Sequence, residues 1–264
     1  MNNVIAITVI SFALSGCAVL QESNTISTAD GRYSYIVSGQ GKPAVILEAG
    51  LGDGKESWSP VFHQLAQFTR VFAYDRAGYG SSRSNNANRD GKTIVSELHS
   101  ILQAASIAPP YLLVGHSIGG TYMELYARTY PNEVAGVVLV DSRHPKFDQL
   151  CEEGSASSCK FPALLAALLP PAAKQELKAS SAAMQQVNES PPFPKVPLFV
   201  LTGTNKPLEK AQFKQVWLET QNDLATLSPI AKHVVCDQCG HYVQRDDSTA
   251  VIDAIQWVIK KIME

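Results

Sequence analysis

The sequence predicts an α/β protein, with a mostly parallel central sheet flanked by helices on both faces and a small helical cap insertion. Three observations predict it. Short, continuous apolar runs alternate with segments whose apolar residues recur at helical spacing. One such unit, Tyr111 to Gly120, reads as a strand, a G-x-S-x-G turn and the start of a helix. The 264 residues are 45% hydrophobic and 17% charged, enough apolar surface to bury a core without a metal or a staple.

Taken in order, the chain opens with Val4 to Leu14, an apolar run broken only by Thr8 and Ser11. It is too short for a spanning helix, which needs about 20 residues, and has the length of a signal-peptide core. It ends in Leu14-Ser15-Gly16-Cys17, which resembles a bacterial lipobox. The resemblance implies a signal peptide over residues 1–16, lipidation of Cys17, and an exported lipoprotein anchored in the membrane by its N-terminal lipid. Ala18 after the cysteine implies the periplasmic side of the outer membrane or the cell surface, for a Gram-negative source. Met1-Asn2-Asn3 departs from the pattern in having no Lys or Arg. An ordinary secretory signal and a buried first helix are the alternatives. Residues 17–30, polar and rich in Ser, Asn and Thr, read as a tether.

Strands are predicted at Tyr33–Val37, Pro43–Ala49, Arg70–Asp75, Tyr111–Val114, Val137–Val140, Leu198–Leu201 and His233–Val235. Helices are predicted over 57–68, 93–105, 119–130, 209–226 and 249–263. The alternation breaks at 142–195, where an Ala/Leu-rich segment (Phe161 to Leu169) is followed by Pro170-Pro171, a helical Ala/Gln/Lys run and Pro191-Pro192. That stretch is too long for a plain connection and reads as a cap between two halves of a core, 31–141 and 196–264. A surface excursion of the crossover helix is the alternative.

Charge and cysteine usage narrow the function. A net charge of −2 with 22 basic and 24 acidic residues offers no electrostatic footprint for nucleic acid. Setting Cys17 aside, Cys151, Cys159, Cys236 and Cys239 form an even set. In an exported chain these predict disulfides, and proximity favours Cys151–Cys159 and Cys236–Cys239. A four-cysteine zinc site is the rival: Cys236-x-x-Cys239 permits it, but the spacing of Cys151 and Cys159 is too wide for a zinc knuckle.

Gly115-His116-Ser117-Ile118-Gly119 lies between a buried strand and an amphipathic helix. A serine on so sharp a turn needs glycine neighbours, and it presents Oγ at a helix N-terminus, where free N–H groups favour a developing negative charge. From residue 32 onward the chain resembles the α/β-hydrolase superfamily in its serine esterase/lipase-like branch. Three motifs carry the resemblance: Gly-His-Ser-Ile-Gly-Gly; Asp75-Arg-Ala-Gly-Tyr-Gly-Ser-Ser82; and Leu47-Glu-Ala-Gly50-Leu51-Gly52, where Glu48 and Ala49 replace the usual His-Gly approach.

The resemblance implies a catalytic triad in the order Ser, acid, His. Among six histidines, His241 in Cys-Gly240-His241, after the last strand, stands at the family position. His63 and His99 fall in early helices, His144 and His233 border strands, and the His116 side chain should point away from Ser117. The family usually places its acid in a G-x-x-D-P loop after the Leu198–Leu201 strand, but here Lys206 holds that position. Asp141, directly after the preceding strand, is the expected acid; Asp148, Glu152, Glu209, Asp223 and Asp237 are less well placed. The oxyanion hole is expected from the backbone N–H groups of Leu51 and Ile118. Leu51, Trp58 and Tyr122 are candidates for an acyl pocket, with Leu164, Leu165, Leu168 and Leu169 as a cap face.

The expectation is a serine hydrolase cleaving a small carboxylic ester through an acyl-enzyme, without metal or organic cofactor. Amide, lactone or thioester hydrolysis uses the same groups, and a non-catalytic lipoprotein scaffold is the reading from another class.

Overall fold

The computed structural model describes Leu20 and residues 23–153, 163–206 and 211–264. Cys17 and Cys159 lie outside the described residues, as do the whole of the expected signal peptide and Glu209. The described strands are β1 (Asn24–Ser27), β2 (Gly31–Ser38), β3 (Ala44–Glu48), β4 (Val71–Tyr74), β5 (Arg83–Ser84), β6 (Tyr111–His116), β7 (Val134–Val140), β8 (Leu198–Gly203) and β9 (Ala231–Cys236). The described helices are α1 (Ser59–Leu65), α2 (Gly91–Ala104), α3 (Ile118–Thr129), α4 (Phe147–Glu153), α5 (Ala163–Leu168), α6 (Pro171–Asn188), α7 (Ala211–Leu224), α8 (Val243–Asp246) and α9 (Ser248–Met263).

The strands form one sheet in the order β1-β2-β4-β3-β6-β7-β8-β9, with β5 paired to β2. Every pair from β4 through β9 is parallel; β1 and β2 run antiparallel at one edge. The apolar runs of the central strands follow from burial on both faces. In β6, Tyr111 and Leu113 pack with α2 and α3, while Leu112 and Val114 pack with α1 and α9. Both flanking layers are tied by their caps: Asp90 accepts from the Thr93 N–H at the start of α2, and Asp247 from the Ala250 N–H at the start of α9.

One sequence reading is corrected. Residues 24–27, expected as tether, form β1, with Asn24 opposite Tyr35 and Ser27 opposite Arg32. Asn-Thr-Ile-Ser is largely exposed, so no apolar alternation marks it; the open edge of β2 supplies the pairing. The 142–195 segment carries α4, α5 and α6, but α6 is only partly a cap. Its Ala183, Met184 and Val187 join the core beneath α2 and α3. Among the described residues, no helix is long and apolar enough to cross a membrane.

Strand register then sets the site. Glu48 is level with Gly115, His116 with Val140, Val140 with Leu201, and Gly203 with Cys236. The segments that leave β3, β6, β7, β8 and β9 at their carboxyl ends therefore emerge side by side. The chain turns from β3 to β4 on one side and to β6 on the other, so this is also the point where strand order reverses, the usual place for a ligand crevice.

Candidate active site

Ser117 sits between β6 and α3 with φ 56° and ψ −127°, a left-sided conformation that costs a non-glycine residue about 1–3 kcal/mol. The glycines make room for it. A Cβ on Gly115 would lie 2.5 Å from Gly120 Cα, and one on Gly119 would lie 2.5 Å from the Ala49 carbonyl oxygen. The turn is further held by the Ser117 carbonyl, which accepts from the N–H groups of Gly120 and Arg143.

The structure brings Ser117, Asp141 and His241 together. His241 Nε2 is 3.1 Å from Ser117 Oγ, and His241 Nδ1 is 2.6 Å from Asp141 Oδ2. A carboxylate facing Nδ1 fixes the tautomer: Nδ1–H donates to Asp141 and Nε2 is left to accept from the serine hydroxyl. The His241 side chain is 37% exposed, so a ligand can reach it, whereas Asp141 is fully buried. Burying a carboxylate is costly unless it is well partnered. Here Oδ1 accepts from the Gly203 N–H at 3.1 Å and from Trp217 Nε1 at 2.9 Å. Oδ2 also meets Lys206 Nζ at 2.8 Å. Burial alone would raise the Asp141 carboxyl; the hydrogen bond to His241 and the Lys206 charge outweigh it and hold the group below its ordinary value.

The His116 side chain packs against the His241 loop. Its Nε2 lies 2.8 Å from the His241 carbonyl oxygen, and the two rings are 4.7 Å apart. Burial, reinforced by the nearby His241, pushes His116 down to about 3, so the ring is neutral and donates this bond. A second brace is a Cys236–Cys239 disulfide just ahead of His241. The Cys239 carbonyl accepts from the Asn205 N–H at 2.8 Å, which ties the disulfide loop to the segment bearing Lys206. Among the described residues, one group of metal-type ligands comes together, Cys236, Cys239 and Asp247, and its two sulfurs are spent on the disulfide. Cys151 is disulfide-bonded as well. Asp246 accepts from the Gly240 N–H at 2.7 Å and holds the histidine loop.

The loop after β3 closes the other side. A Cβ on Gly50 would lie 3.3 Å from Ser117 Cβ, so Gly50–Leu51 passes directly over the serine turn. Beneath it is a buried network that sequence reasoning missed. Arg76 bonds Glu48 at 2.6 Å, the carbonyls of Ala49 and Gly50 at 2.7 and 2.8 Å, and both oxygens of Glu176 on α6 at 2.8 Å. Tyr74 donates to Glu48, and Tyr79 to Glu176. Burial raises the Glu48 carboxyl above its ordinary value despite Arg76. The Asp75-Arg-Ala-Gly-Tyr motif is thereby structural: Arg76 and Tyr79 hold the β3 loop, and Asp75 pairs with buried Lys55 at 2.6 Å. A charged residue at the end of a buried strand, Glu48, was the available signal; its partner on a distant Ala-rich helix was not.

Gly50, Leu51, Ser117, Ile118 and His241 open onto one cavity of about 750 Å³. Leu169 and Leu177 from the cap and Phe213 and Trp217 from α7 give it apolar walls, and Arg143 and Asp148 pair at its edge. Leu51 and Leu169 thus line it, but Trp58 and Tyr122 are fully buried in the core and Leu168 is 75% exposed. The side chains of Leu164 and Leu165 are outside the described residues. His144 pairs with Asp223, His99 with Glu133, and His233 lies between Thr202 and Asn222, all away from Ser117.

Sheet order, serine elbow and cap define an α/β-hydrolase fold, and comparison with known proteins agrees. Residues 43–157 match the family model described as alpha/beta hydrolase fold. The uncharacterized protein YqjL of Bacillus subtilis is 39% identical over 97 residues, 37% of this chain and 38% of that protein. A candidate carbamate hydrolase, RutD of Yersinia enterocolitica, is 34% identical over 114 residues, 41% of this chain and 40% of that protein. The chain spans about two fifths of the length of these curated relatives. Among solved structures, a thermophilic esterase from Thermogutta terrifontis is similar with a TM-score of 0.66 at 18% identity, over 91% of this chain and 99% of that one. Carboxylesterase CesB of Bacillus subtilis gives 0.63 at 16% identity, over 92% and 93%. At such identities the likeness is one of fold.

Proposed function

We propose that the protein is a serine hydrolase that cleaves a carboxylic ester through an acyl-enzyme. The observation that carries this reading is the hydrogen-bonded chain from Ser117 Oγ through His241 to Asp141. His241 takes the Ser117 proton as Oγ attacks the ester carbonyl, and Asp141 stabilises the imidazolium that forms. The Leu51 and Ile118 N–H groups receive the oxyanion, each worth roughly 3 kcal/mol in the transition state. His241 passes its proton to the departing alkoxide. Water, deprotonated by the same histidine, then cleaves the acyl-enzyme to acid and free serine.

The apolar walls of the cavity favour an uncharged acyl group. The likeness to RutD supports a second reading, in which the carbonyl attacked bears nitrogen, as in a carbamate or amide. The lipobox-like run supports a lipid on Cys17 and an exported, membrane-anchored protein, and the disulfide-bonded state of Cys151 supports its pairing with Cys159. Labelling by a palmitate analogue that persists in Cys17→Ser would overturn Cys17 as the lipidated residue, and no labelling of the native protein would overturn the lipid anchor.

The activity is tested with p-nitrophenyl esters of increasing acyl length, with Ser117→Ala alongside. Ester cleavage lost in the variant, and labelling of Ser117 by a fluorophosphonate, are the expected results. Phosphonate labelling without ester cleavage moves the assignment to carbamates or amides. Neither one returns the non-catalytic scaffold.

A further inference from the structure

Lys206 stands where the resemblance predicts a carboxylate, yet it is drawn into the site. Its ammonium nitrogen lies 2.8 Å from Asp141 Oδ2, the same oxygen that faces His241 Nδ1 at 2.6 Å. The side chain is buried, and Nζ also sits 4.2 Å from the centre of the Trp217 ring. Trp217 in turn donates to Asp141 Oδ1. The acid is therefore clamped between a lysine and an indole that also hold each other.

We infer that Lys206 is a positioning residue of this site, which fixes the Asp141 carboxylate and offsets part of its charge. The inference rests on the serine-hydrolase reading for its kinetic consequence. Lys206 Nζ and His241 Nδ1 share Asp141 Oδ2, so the lysine charge repels the imidazolium charge that forms when His241 takes the Ser117 proton. His116 and Tyr242 also face His241 from the elements packed around it, with Arg245 stacked over the Tyr242 ring. Asp53, Arg143, Asp148 and Glu152 face it across the cavity. All of these are unchanged in a Lys206 variant, so a difference between variants isolates the lysine.

The test compares native protein, Lys206→Met and Lys206→Arg. In kcat/KM against pH, the acid limb of Lys206→Met should move up by about 1 pH unit, while Lys206→Arg stays near the native curve. The ring titration of His241, followed by NMR and assigned by its loss in His241→Gln, should move the same way and needs no substrate. An acid limb and a titration that stay in place in Lys206→Met overturn the inference, even if the rate falls at every pH. If the native protein neither cleaves esters nor reacts with a fluorophosphonate while the ring titration moves, the serine-hydrolase reading fails and the role of Lys206 stands.

Discussion

Arg76 and Glu176, one hundred residues apart in the chain, are joined by two hydrogen bonds of 2.8 Å in the interior. The same guanidinium holds the Gly50 carbonyl. The pair thus couples the cap helix to the loop that passes over Ser117. Removing one partner of a buried pair leaves a desolvated charge, at a cost of about 3–5 kcal/mol. Glu176→Ala should lose stability of that size in denaturant unfolding and should lower kcat, because the Leu51 N–H loses its support. A variant with native stability and native kcat would sink this coupling.

Asp141→Asn keeps the shape of the acid but removes the charge and allows the wrong imidazole tautomer. Ester hydrolysis should fall by about 10⁴-fold, with little change in KM. Ser117→Ala should fall at least as far, and the double variant no further, since the two groups act as one unit. An Asn variant within tenfold of native activity would point to another acid.

The Cys236–Cys239 disulfide precedes His241 and braces the segment that carries Lys206. Reductant should therefore lower activity. Because Cys151 is also disulfide-bonded, the double variant Cys236→Ala/Cys239→Ala is the cleaner measurement. Full activity in that variant would show that the brace has no part in presenting the histidine.

His116 provides a pH prediction for stability. Its pKa is about 3 in the folded chain against an ordinary value of 6.5, because burial disfavours the cation. Between those values the unfolded chain binds a proton that the folded chain does not. Stability is full above pH 6.5 and falls as pH drops towards 3, by up to about 1.4 kcal/mol per pH unit. Unfolding free energies measured from pH 7 to pH 4 should show that slope, and His116→Gln should flatten it. Equal slopes in both proteins would mean that His116 takes up a proton without unfolding.

The parallel core was legible because its chemistry is local. A strand covered on both faces must be apolar throughout, as in β6 and β8, and a helix covered on one side must be apolar every third or fourth residue, as in α2 and α9. Ser117 was legible because Gly115 and Gly119 leave room that no other residue would. Asp141 and His241 were legible as chain positions, one straight after a strand and the other after Gly240. β1 was not, because an exposed edge strand needs no apolar pattern, only an open partner.

Sequence by itself thus determined the sheet, the elbow and the residues that the elbow needs. Tertiary structure alone decided the contacts that hold them: Glu176 beneath the β3 loop, His116 on the His241 carbonyl, and Lys206 on Asp141. The physical reason is the range of the constraint. Backbone geometry and burial are imposed by neighbours in the chain, whereas a buried charge is satisfied by whichever opposite group the fold brings within about 3 Å, here from as much as a hundred residues away.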